Sequence, residues 1–243
     1  KQQLIDMNYF IMLAAALLPI AILLIYAYRK DPRPEPTSLL AKSFAYGVLI
    51  CFPIVAVEFG VNHIVNTLIT DTASLEYILA EAFLVAAIPE ECFKLLALWL
   101  ILRHNPYFDE HYDGIMYAVC VGMGFAALEN TLYVMSNPDN WHTVAISRAM
   151  LSVPGHYAFA VLMGYFYSIH RFVRRSLRGR ADILLVPVIA HGCYDALALA
   201  INIDPEVSII CVVVLILLCI KMHKACWIKI TELINRDTDN MIS

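Results

Sequence analysis

The chain has 243 residues, 60% of them hydrophobic and only 16% charged, with a mean hydropathy of +0.68. A soluble domain is roughly 45–50% apolar and about 25% charged, so the composition is that of a membrane protein. The 17 Lys and Arg against 21 Asp and Glu give a net charge of -4, which lacks the basic excess of nucleic-acid binders and excludes that partner class.

Hydropathy divides the chain into seven segments, at 8–28, 43–69, 78–102, 114–135, 143–170, 183–203 and 207–227, most of them long enough to cross about 30 Å of hydrocarbon. The first is read as a spanning helix and not a signal peptide, because Arg29 and Lys30 follow it where a small-residue cleavage site would stand. The expected fold is all-α: a polytopic transmembrane helical bundle of about seven spans. Residues 1–243 are read as a single integral membrane domain, with residues 78–203 as a four-helix catalytic core. The purely apolar part of the last segment stops at Ile220, so Lys221 and Lys224 would have to snorkel.

Cations follow the segments in alternation. The first, third and fifth connections and the C-terminal tail hold all but three of the 17, and the connections near 70–77, 137–142 and 204–206 hold none. The positive-inside rule then places the N-terminus outside and the tail in the cytoplasm. The three exceptions are Lys1, Arg148 and Lys94. Arg148, like His63, falls toward an outer helix end and is read as an interfacial anchor. No connection is long enough to form a soluble domain, so the activity resides in the bilayer. The seven cysteines are scattered without C-x-x-C spacing; they suggest neither a disulfide framework nor a thiolate metal site and are read as small core residues.

Ionisable side chains near a helix centre cost at least about 2.5–3.5 kcal/mol each, which makes every one a candidate for function. Four segments concentrate them: Glu90, Glu91 and Lys94 in the third, Glu129 in the fourth, His156 in the fifth, and His191 and Asp195 in the sixth. Counted from the cytoplasmic end at 1.5 Å per residue, Glu90, Glu129, His156, His191 and Asp195 lie roughly 12–22 Å deep, so four helices can bring them into one layer. Interhelical hydrogen-bond glue is the competing account, but glue is ordinarily Ser, Thr, Asn or Gln. Glu58 and Glu81 are further intramembrane acids without an i,i+4 cation.

Spacing adds chemistry. Glu90 and Lys94 share a helix face at i,i+4, while Glu91 is turned about 100° away. Two adjacent carboxylates in a low dielectric should not both ionise, so the pair is expected to split into a base and an acid. His191 and Asp195 are also i,i+4: either the carboxylate orients the imidazole, or both turn toward a metal. Pro89, Pro154 and Pro187 precede the polar groups and are expected to bend their helices around a wet pocket. Gly122, Gly124, Ala126 and Ala127 are read as packing residues of the fourth helix.

Glu-Glu-x-x-Lys at 90–94, Phe-x-x-x-Glu-Asn at 125–130, a lone mid-membrane His156 and His-x-x-x-Asp at 191–195 resemble, in that order, the PrsW family of bacterial intramembrane proteases. The resemblance covers 78–203. It extends distantly to type-two CAAX prenyl endopeptidases and bacteriocin self-immunity membrane proteins. Those relatives carry Arg after the Glu pair and His in the second motif, whereas this chain has Lys94 and Glu129. The resemblance implies endoproteolysis of a single-pass protein in the bacterial cell membrane, in the best-known case an anti-sigma factor cut at its extracytoplasmic side in stress signalling. It assigns functional positions to Glu90, Glu91, Lys94, Glu129, His156, His191 and Asp195.

Two chemistries stay open at the level of sequence. In one, Glu90 or Glu91 deprotonates a water and a histidine stabilises the oxyanion or protonates the leaving amine. In the other, Zn²⁺ sits among His156, His191 and carboxylates drawn from Glu90, Glu91, Glu129 and Asp195, with the spare glutamate as base. Cys92 and Cys193 adjoin the motifs but match neither histidine as a nucleophile's base. The rival classes are a proton- or ion-coupled transporter, which would use the same layer as a relay, and a non-catalytic self-immunity or scaffold protein.

Overall fold

The structure is a computed structural model that describes residues 2–242, with side chains described over 8–239; Lys1 lies outside the described residues. In chain order the elements are α1 (Gln2–Lys30), α2 (Thr37–Leu68), α3 (Leu75–Leu79), a π-helical stretch π1 (Ala80–Ala87), α4 (Ile88–Leu102), α5 (His111–Met135), α6 (Trp141–Ser147), π2 (Arg148–Ser152), α7 (Val153–Ser168), π3 (Ile169–Val173), α8 (Leu177–Ala200) and α9 (Pro205–Ile242). The described residues contain no strand. Among the described residues, six helical runs are long and apolar enough to cross a membrane. The remaining run, α3 through α4, has the length but carries Glu81, Glu90, Glu91 and Lys94.

The helices are not equivalent. α5 is buried along most of its length, and so is α7, while α1, α2 and α9 expose long rows of Leu, Ile, Val and Phe. A helix that is apolar all round and still buried belongs at the centre of a bundle; one that presents bare aliphatic surface faces lipid. With no hydrophobic gradient between lipid and protein, small residues that let backbones approach hold such helices together. A Cβ on Gly124 would stand 2.1 Å from the Phe44 carbonyl oxygen, and one on Gly47 would stand 2.0 Å from that of Val121, so α2 and α5 meet backbone to backbone. Gly164 does the same for α7 against Gly114, and Gly122 meets Ala160. The packing role read from Gly122 and Gly124 therefore has named partners on α7 and α2.

Connections that sequence places on one side of the membrane gather at one end of the bundle. The α1–α2 turn touches the start of α5 through an Arg33–Glu110 ion pair. Asp237, near the end of α9, accepts hydrogen bonds from the backbone N–H groups of His111 and Tyr112, both 2.8 Å. Helix α9 thus runs well past the expected limit at residue 227. Its polar continuation docks on the protein: the Lys229 ammonium sits 3.7 Å from the Tyr165 ring centroid, and Glu232 accepts from the Tyr165 hydroxyl at 2.9 Å. Around the α1–α2 turn, burial pushes the Asp31 carboxyl up to about 6 and raises those of Glu35 and Glu110.

The cysteines depart in part from expectation. All seven are free, and Cys51, Cys120, Cys211 and Cys226 are buried, but Cys92 and Cys193 are exposed on outward helix faces. A small, weakly polar thiol is tolerated against lipid as well as in a core.

Gly124→Leu should lower the thermal unfolding midpoint of the detergent-purified protein, at a cost of about 1–3 kcal/mol from overpacking. Gly60→Ala, where a Cβ meets nothing within 4 Å, should leave the midpoint unchanged; equal effects at the two positions would contradict the α2–α5 contact.

Candidate active site

Proline and π-helix together shape the approach to the polar layer. Pro89 and Pro154 stand in the first turns of α4 and α7, each directly after a π-helical stretch. A proline ring lacks the N–H owed to the carbonyl four residues back and crowds it. Widening the preceding turns accommodates that defect, and π-bulges recur at functional sites. Pro89 and Pro154, where bends are expected, thus each follow a π segment, and Pro187 lies inside a continuous α8.

One wall of the site is built on Lys94. Its ammonium donates to Glu90 Oε2 and to Glu91 Oε1, both at 2.8 Å, and stands 4.2 Å from the Phe125 ring centroid. The three charged residues are buried. Lys94 is therefore shared by the pair, and what separates the two glutamates is their other contacts. Glu91 Oε1 lies 3.0 Å from His191 Nδ1. His191 Nε2 lies 3.2 Å from Asp195 Oδ2 and 4.0 Å from Glu90 Oε2. Phe159 stacks on the His191 ring at 4.6 Å and 17°. α8 comes close enough for this because Gly192 has no Cβ: one there would lie 2.3 Å from the Phe83 ring.

The opposite wall is built on Glu129. Its Oε2 is 2.8 Å from His156 Nε2 and accepts from Arg148 Nη2 at 2.5 Å. Arg148 also donates through Nε to Asn130 Oδ1 at 2.7 Å and lies over the Tyr133 ring, while Asn130 Nδ2 donates to the Ala16 carbonyl of α1 at 2.6 Å. The two walls meet where the His156 and His191 rings stand edge to face, 5.6 Å apart.

Between the walls lies a cavity of about 610 Å³, lined among others by Glu90, Glu129, His156, His191, Asp195 and Arg148. Five of the seven residues singled out from sequence thus face one space. The other two, Glu91 and Lys94, stand behind it, Glu91 with no solvent exposure at all. Glu58 and Glu81 line the cavity farther along. Arg148 is not an interfacial anchor but part of the polar layer. Asn130 and Phe125, both within the Phe-x-x-x-Glu-Asn motif, hold Arg148 and Lys94. The available signal for Arg148 was that it broke an otherwise clean cation alternation.

The donor set suits a zinc-type ion. Glu90, His156 and His191 each bring one ligand atom to within 4.8 Å of the others, a two-nitrogen, one-oxygen set typical of catalytic zinc. His156 Nδ1 is buried without a partner while Nε2 is engaged by Glu129; His191 Nδ1 is engaged by Glu91. Imidazole ligands held through their second nitrogen by carboxylates are the usual support of such sites.

Residues 35–220 match the family model described as PrsW family intramembrane metalloprotease. The chain belongs to the PrsW family. It is 36% identical over 193 residues to Protease PrsW of Geobacillus kaustophilus, covering 79% of this chain and 81% of that protein. Protease PrsW of Oceanobacillus iheyensis is 32% identical, with 75% and 80% covered, and that of Bacillus subtilis 32%, with 79% and 85% covered. No solved structure matches. The chain is accordingly a multi-pass bacterial membrane protein and a peptide hydrolase of the PrsW type.

Arg148→Met should slow cleavage of a membrane-anchored test peptide by about 10²-fold, the usual cost of removing a preorganised charged donor, with Arg148→Lys recovering part of the rate. Full activity in both variants would return Arg148 to the role of anchor.

Proposed function

We propose that the protein is an intramembrane metallo-endopeptidase that cuts a single-pass membrane protein, of the anti-sigma factor kind, at its extracytoplasmic side. One observation carries the reading: Glu90, His156 and His191, three buried potential ligands from three helices, converge on a cavity enclosed by membrane-spanning segments. The catalytic core is residues 78–203.

Glu90, His156 and His191 would hold the Zn²⁺, with Asp195 beside them; when bound, the ion polarises the scissile carbonyl and acidifies water. Both protein contacts of Glu129 fall on Oε2, which leaves Oε1 to take the proton of the attacking water and return it to the leaving amine. His156 and Arg148 orient that carboxylate. Glu91 has no access to the cavity and acts as a positioning residue: it accepts from His191 Nδ1–H, which fixes the tautomer and turns Nε2 toward Glu90 and Asp195. Lys94 holds both glutamates in register.

The seventh span in this reading is the α3–α4 run. The Arg33–Glu110 ion pair supports it, because a chain that leaves one end of the bundle along α2 must return along α3–α4 for those residues to meet. With the cations of the α1–α2 and α4–α5 connections in the cytoplasm, Glu58, Glu81, Leu132 and Leu199 lead the cavity toward the outer face. A substrate cut on that side would enter there.

Purified protein in liposomes should cleave a single-pass test substrate, lose at least about 10²-fold of the rate on Glu129→Gln or His156→Ala, and lose activity to a chelator with recovery on adding Zn²⁺. Chelator-resistant cleavage would refute the metal reading, and near wild-type rates in both variants would refute the site. A reporter fused after Gly179 should be cytoplasmic and one after Asn140 external; the reverse at either position would overturn the orientation.

A further inference from the structure

A second group of carboxylates lies at the opposite end of the bundle from the mouth of the cavity, and the proteolytic reading makes no use of it. Asp31 and Glu35 come from the α1–α2 turn, Asp109 and Glu110 from the α4–α5 connection, and Asp113 from the first turn of α5. Asp31, Glu110 and Asp113 are 7%, 5% and 0% exposed, and each brings one carboxylate oxygen to within 4.8 Å of the other two. Each also has one buried oxygen with no hydrogen-bond partner: Asp31 Oδ2, Glu110 Oε2 and Asp113 Oδ1.

Their remaining oxygens are occupied in ways that fix the side chains in place. Asp31 Oδ1 accepts from the Arg33 N–H at 3.0 Å, Glu110 Oε1 from the Arg33 guanidinium, and Asp113 Oδ2 from the backbone N–H groups of Asp109 and Glu110 at 3.0 and 2.7 Å. Asp113 is also within 4.8 Å of Glu35 and Asp109. The one cationic side chain bonded to these carboxylates among the described residues, Arg33, is itself largely exposed. Buried carboxylates with spare lone pairs and so little counter-charge require a cation or protons.

We propose that Asp31, Glu110 and Asp113 form a binding site for a hard divalent cation of the Ca²⁺ or Mg²⁺ class, separate from the catalytic cavity. An all-oxygen donor set selects hard ions. Two Ca²⁺–oxygen distances of about 2.4 Å placed opposite one another span about 4.8 Å, and no pair among the three carboxylate oxygens lies farther apart than that. Occupied, the site ties the α1–α2 turn to the start of α5. Through Asp237, which holds His111 and Tyr112, it also adjoins the end of α9.

The test uses the full chain in detergent, stripped of metals. Ca²⁺, and separately Mg²⁺, should raise the thermal midpoint saturably, and Tb³⁺ should bind with luminescence sensitised by Tyr112 or Tyr117, displaced by Ca²⁺. Asp31→Asn, which retains an acceptor for the Arg33 N–H, should weaken Tb³⁺ and Ca²⁺ binding at least about tenfold, because affinity follows the ligand charge count. Glu110→Gln should do the same, and Glu129→Gln in the cavity should leave the affinity unchanged. Absence of saturable binding, or unchanged affinity in both loop variants, would overturn the proposal in favour of carboxylates sharing protons. Loss of binding in Glu129→Gln would also overturn it, by assigning the cation to the catalytic cavity. None of these readouts depends on cleavage, so the proteolytic reading and this one fail separately.

Discussion

A lysine ammonium buried among two carboxylates, inside helices that face hydrocarbon, is the constraint on which the rest of the site depends. Each charge alone would be expelled from the bilayer interior at a cost of at least about 2.5–3.5 kcal/mol. Held at 2.8 Å from both Glu90 and Glu91, Lys94 turns three liabilities of one helix into a compact group. That group reaches out of α4 in two directions: to Phe125 of α5 through the face of its ring and to His191 of α8 through Glu91. Three helices are pinned at one depth, and a second set of contacts, from Glu129 to His156 and Arg148, closes the layer from the other side.

Such a layer can form only if the helices stand close enough for short side chains to meet. Glycine supplies that closeness at the contacts that matter: Gly47 with Gly124, Gly114 with Gly164, and Gly192 beneath Phe83. The prolines act in the other sense, opening the helix wall. Each of the two π stretches that precede a proline leads to a polar residue just past it, Glu90 after Pro89 and His156 after Pro154. Close packing around the layer and loosened backbone beside it leave a cavity of about 610 Å³ within the bundle.

Much of this was legible in the sequence because the bilayer leaves few ways to explain an ionisable residue. The placement of Glu90, Glu129, His156, His191 and Asp195 within apolar runs, at similar depth, predicts that they meet, and all five line the cavity, whereas Glu91, named beside Glu90 as a candidate base, stands behind it. Periodicity alone did not show which of the two glutamates faces the cavity: the i,i+4 spacing tied Lys94 to Glu90, but a flexible four-carbon side chain also reaches i-3. Arg148 was hidden for a related reason, since its position near an outer helix end fits an anchor until the 19-residue separation from Glu129 closes in space. The long docked end of α9 depends on tertiary contacts that no local window contains.

The most direct measurement of the account is a double-mutant cycle in unfolding free energy between Lys94 and Glu91, in detergent micelles. Lys94→Met alone strands two buried carboxylates and should cost about 3–5 kcal/mol, whereas adding Glu91→Gln to it should recover a substantial part of that loss. Additive losses in the double variant would contradict the claim that the ion cluster organises the layer.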